Sequence, residues 1–203
     1  MSSNPVPRAP LGLPPGSIRG ILVLFITVQF WLLLLLPDNY VIRIPINLYF
    51  LLTFVALFFV SHGRTIASAT DQFASPLHLP AGTLRVVIFG GSAAVIGYLF
   101  TNHPERLVER LRPQASQLDG WPTLMGAYVG GFVLGYLFRI MPFRHNWAFQ
   151  SFQAWISLIA MALLFIEIVV QAFVIPTLKD QYDVRTWEAI VTGVTACYFG
   201  TRS

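Results

Sequence analysis

Six stretches of this chain are apolar, nearly free of charge and separated by short polar breaks. They cover residues 18–36, 44–60, 83–100, 123–138, 147–175 and 184–198. A hydrocarbon core of about 30 Å needs about 20 such residues in a helix, so each stretch reads as a membrane span. Pro37, Gly63 and Pro176 fall in the breaks, and Pro45 falls in a first helical turn, where proline is tolerated. The break at 101–121 has a pattern of its own. Leu107, Val108 and Leu111 share one side of a helix over 104–112, while Glu105, Arg106, Glu109, Arg110 and Arg112 lie elsewhere. That arrangement predicts a short interfacial helix lying on the membrane surface, with docking of a partner as the alternative use.

The breaks repeat. Leu13-Pro14-Pro15-Gly16-Ser17-Ile18-Arg19 returns as Leu79-Pro80-Ala81-Gly82-Thr83-Leu84-Arg85, and Gln150-Ser151-Phe152-Gln153 is a weaker third copy. Each precedes an apolar run. The proline and glycine interrupt the chain, and Ser17 and Thr83 are the expected N-caps. Arg19 and Arg85 then sit in a first turn, which the helix dipole slightly disfavours, so they read as anchors to lipid phosphate or a carboxylate. Every second stretch ends in aromatics and an arginine: Phe58-Phe59 before Arg64, Tyr136 and Phe138 before Arg139, Tyr198-Phe199 before Arg202. Aromatics followed by a cation suit a helix C-terminus at the interface.

The unit is therefore a helical hairpin, used three times in tandem over about residues 16–64, 82–139 and 150–202, after a proline-rich segment 1–15. The fold expected is an all-α, polytopic membrane helix bundle: one domain, six transmembrane helices and the short interfacial helix. The repeats run in the same sense, unlike the inverted pairs common in transporters.

Composition agrees. Of 203 residues, 55% are hydrophobic and 11% charged, against about 25% charged in soluble domains. The net charge of +4 includes no long run of one sign, which leaves nucleic-acid binding without support. Cys197 is the only cysteine, so an internal disulfide and a cysteine-rich metal site are excluded. No small-residue cleavage pattern follows the first apolar run, which reads as a retained span. The side with the repeat starts and ends holds Arg8, Arg19, Arg64, Arg85, Arg139, Arg144 and Arg202 against Asp71 alone. The opposite side holds six basic residues, so lysine plus arginine lean seven to six toward this side. With an even number of spans both termini share it, and they are expected in the cytoplasm of a cell with a bacterial inner membrane.

Glu167 is the one acidic residue deep in a span, and Gln171 lies one turn further on. Gln29, Thr192 and Thr195 fall at similar depth, so a polar layer of these five is possible. Such a layer either locks helices together or carries a proton or cation. Gly126, Gly130, Gly131 and Gly135 in the fourth stretch, and Gly90, Gly91 and Gly97 in the third, form faces on which helix backbones can approach closely. Packing of the third helix on the fourth is the expected use, with self-association through the fourth as the alternative.

Catalytic signals are weak. Motifs for zinc hydrolases, serine hydrolases and phosphate loops are missing. Gly90-Gly91-Ser92-Ala93 resembles the serine segment of an intramembrane protease, but His62, His78, His103 and His145 fall at helix ends or in loops, and they lack metal-ligand spacing. No catalytic residue, metal or cofactor is expected. The function expected is a non-enzymatic integral membrane subunit, in contact with the bilayer and with other membrane subunits or itself. The alternative is a small channel or transporter with an ion-linked site at Glu167.

Overall fold

A computed structural model describes residues 17–37, 44–65, 82–113, 115–140, 147–175 and 184–202. Among them all regular structure is helical. In chain order the elements are α1 (Ser17–Leu35), α2 (Ile46–Thr65), α3 (Thr83–Asn102), α4 (Pro104–Leu111), α5 (Ala115–Leu118), α6 (Trp121–Ile140), α7 (Trp147–Val169) and α8 (Arg185–Arg202). A π-helical turn, Val170–Val174, continues α7. Four helices are long and apolar enough to cross a membrane: α1, α3, α6 and Ser151–Val174 of α7 with its π turn. α2 offers a shorter apolar stretch, Ile46–Leu57, and α8 carries Arg185, Glu188 and Arg202.

In the second copy of the motif the glycine opens the helix. Gly82 opens α3 at φ 90°, a left-handed backbone that glycine adopts without steric cost, and no side chain caps the first turn. Thr83 is thus the first helical residue and not the cap. Ser17 stands in the same place on α1 and is buried. Arg19 and Arg85 are half-buried and Arg139 is exposed; the side chains of Arg64 and Arg202 lie outside the description, as do His78 and His145.

The core joins α1, α2, α7 and α8. Leu22, Ile26 and Leu33 of α1 pack in one cluster with Leu48, Leu51 and Phe54 of α2, Leu164 of α7 and Tyr198 of α8. Phe54 stacks on Phe199 of α8 at 4.8 Å and on Tyr128 of α6 at 4.7 Å between ring centres.

The glycine faces pair differently from the expectation. α6 packs on α8 and not chiefly on α3. A Cβ on Gly131 would strike the Gly193 carbonyl, one on Gly135 the Cys197 carbonyl, and one on Gly200 the Phe132 carbonyl. Both helices present bare backbone along this seam, which lets them approach more closely than any larger residue would allow. α3 instead lies on α1, where Gly91 sits against the Trp31 ring and Trp31 Nε1 donates to Ser92 Oγ at 3.0 Å. Gly90 and Gly97 of α3, and Gly126 and Gly130 of α6, face open space.

α4 turns a different face inward as well. Leu107 and Arg110 are buried, whereas Val108 is 67% exposed. Arg110, expected on the polar side, donates to the carbonyls of Leu33 and Leu34 at 2.8 Å each and to that of Leu36 at 2.5 Å. A helix leaves its last carbonyls without intrahelical donors, and the planar guanidinium reaches three of them at once. Burial lowers the Arg110 pKa from its ordinary value, Arg106 adds to this, and Glu109 opposes it. Tyr49 OH donates to the Leu111 carbonyl at 2.8 Å, so α4 ties the end of α1 to the start of α2.

Candidate functional site

Three helix ends meet at the level where α4 lies. Asn47 enters from the first turn of α2, Glu167 and Gln171 from the end of α7, and Trp187 and Glu188 from the first turn of α8. Glu167 and Asn47 are fully buried; Gln171 and Glu188 are 6% and 9% exposed. Glu167 Oε1 accepts from Asn47 Nδ2 at 3.1 Å and from Gln171 Nε2 at 3.2 Å, and its Oε2 accepts from Trp187 Nε1. Gln171 Nε2 also donates to Glu188 Oε1 at 3.4 Å. One amide nitrogen therefore touches two carboxyl groups, and the two carboxyls lie within two hydrogen-bond lengths of each other. Gln171 belongs to the π turn. Single π turns inside α-helices are frequent at functional sites.

Of the five residues expected in a polar layer, Glu167 and Gln171 are hydrogen-bonded to each other. Gln29, Thr192 and Thr195 are buried too, yet among the described residues both polar atoms of Gln29 and both threonine hydroxyls have no hydrogen-bond partner. Asn47 Oδ1 is in the same position. The contrast with other hydroxyls is informative. Thr27 donates to the Val23 carbonyl at 2.8 Å, Thr201 to that of Tyr198 at 2.7 Å, and Ser157 to that of Ala154 at 2.7 Å. Bonding to the preceding turn is the usual resort of a hydroxyl inside a helix. Thr192 and Thr195 do not take it. With Glu188 they occupy positions i, i+4 and i+7 of α8, one face of the helix.

Asn47, Trp187 and Glu188 were not expected in the site. The signal available was the spacing of Glu188, Thr192 and Thr195 on one face of the last stretch. Ser92, the residue with a protease-like setting, accepts from the Trp31 indole, and among the described residues no histidine bonds it. Among the described residues there is no group of three or more His, Cys, Asp or Glu that could hold a metal ion. No protein-family model, no curated protein and no solved structure matches the chain.

Proposed function

We propose that the protein is a small channel or transporter: a six-span bundle of three tandem hairpins whose interior site binds a proton or a small cation. The observation that carries this reading is the incomplete bonding of the buried polar set around Glu167. Buried polar groups are nearly always hydrogen-bonded, and a network that only locked helices together would satisfy its members. Among the described residues three buried polar side chains have no partner, and Asn47 has one for only one end of its amide. An ionisable residue inside a membrane bundle is costly and by default invites a functional reading, ion and proton pathways among them. Both termini lie on the cytoplasmic side in this proposal, and the end of the bundle that holds the site faces outward.

The test is flux. Liposomes containing the purified protein should dissipate an imposed proton, sodium or potassium gradient faster than empty ones, and Glu167→Gln should abolish the difference while remaining folded. If no gradient relaxes, or the variant is as fast as the native protein, the proposal fails. A second reading, as a packing subunit of a larger membrane assembly, is favoured by Gly90, Gly97, Gly126 and Gly130, which open outward from the bundle. It predicts that the gently extracted protein migrates with other subunits, and that Gly130→Leu releases it.

A further inference from the structure

We infer that the ligand of this site is a proton, held on the Glu167 carboxyl and donated to the side-chain oxygen of Asn47; the inference rests on the ion-linked reading above. Asn47 Nδ2 donates to Glu167 Oε1, while Oδ1 of the same carboxamide is buried and has no partner among the described residues. A protonated carboxyl and a carboxamide satisfy each other through two bonds, the amide N–H to one acid oxygen and the acid O–H to the amide oxygen. One of these bonds is in place. The other requires Asn47 Oδ1 within reach of Glu167 Oε2, and a hydrogen on that oxygen. Its uptake forms one O–H bond on Oε2 and breaks no other covalent bond, and the Trp187 indole N–H remains on a second lone pair of that oxygen.

A metal ion fits less well. Calcium takes six to eight oxygen ligands and magnesium a near-ideal octahedron. Three N–H donors already point at Glu167, and N–H groups cannot ligate a cation. Charged groups of both signs lie near the site among the described residues, so charge alone does not select the ligand. From α8 the charged groups here are Glu188 and Arg185. Arg185 opens the helix, with its stem against Gly120, and Glu188 reaches Glu167 through Gln171. From α2 the site receives the neutral Asn47, and the buried polar groups of α1 are neutral as well.

The test reads the protonated-carboxyl C=O stretch by infrared spectroscopy of the full chain in lipid nanodiscs at about pH 8, where exposed carboxyls are ionised. We expect one such band per chain. Glu167→Gln should remove it. Glu188→Gln, which leaves the Asn47 pairing in place, should keep it at mildly acid pH. Trp187→Phe should move its frequency, since the indole touches the same carboxyl; a carboxyl elsewhere would not respond. A missing band in the native protein, a band untouched by Glu167→Gln, or displacement of the band by sodium, potassium or calcium at constant pH would each overturn the inference. A band without flux would leave the proton site standing and sink the transport reading. Cation flux without a band would do the reverse.

Discussion

Trp187 can only donate a hydrogen bond, and that restriction governs what position 167 accepts. Three donors converge on Glu167, from Asn47, Gln171 and Trp187. A carboxylate or a carboxyl offers an acceptor on each oxygen, whereas a carboxamide offers one acceptor and one donor. Glu167→Gln therefore sets an N–H against an N–H on one side. We expect it to lower thermal stability in detergent by about 1 kcal/mol, the scale of a hydrogen bond inside a membrane bundle. Adding Trp187→Phe removes the conflicting donor and should recover most of the loss, so the two substitutions should be non-additive. Additive losses in the four-protein cycle would show that the indole does not bond this carboxyl. Glu167 and Gln171 were legible because polar residues stand out inside an apolar run. Asn47, Trp187 and Glu188 were not, because each lies within a turn of a helix start, where polar and aromatic residues are ordinary interface composition. Only the convergence of three helix ends makes them one site.

At the scale of elements, the seam between α6 and α8 is the most demanding contact. Gly131, Gly135 and Gly200 each lie where a Cβ would meet backbone of the opposite helix, and backbone cannot swing aside as a flexible side chain does. Gly135→Ala and Gly200→Ala should each destabilise by about 1–3 kcal/mol, as overpacking does. Gly126→Ala and Gly130→Ala meet nothing and should stay within about 0.5 kcal/mol. Unfolding of the four variants in mild detergent separates the two pairs, and equal losses would mean that the seam is misplaced. The glycine spacing on α6 was plain in the sequence, but its partner was not. α3 and α8 both carry small residues, and helical period alone cannot choose between them. The choice was made by Trp31, whose ring occupies the face of α3 at Gly91.

For the whole molecule, the positions of the helices were legible and the number that cross the membrane is the quantity to measure. If all six cross, a cysteine at Ser116 and one at Ser203, in a Cys197→Ala background, should label from opposite sides. If only the four most apolar helices cross, both should label from the same side, because two crossings would precede Ser116 and two more would follow it. The distribution of apolar surface was less legible, since a helix that borders one neighbour and a helix surrounded by several can be equally apolar. α3 and α6 bury little, while α1 is mostly enclosed.

The three carbonyls held by Arg110 have a consequence for how the protein is made. The Leu33 carbonyl is capped by a side chain that lies 77 positions further along the chain. A ribosome releases α1 and α2 well before α4 exists, and domains are generally built from the N-terminus onward during synthesis. Until α4 emerges, the end of α1 must hold to water or lipid headgroups, because unsatisfied backbone cannot settle in hydrocarbon. The nascent pair of α1 and α2 is thus an unfinished object, open to an insertion chaperone or to a quality-control protease. A change at Arg110 would extend that exposure indefinitely, appearing first as shortened lifetime in the cell.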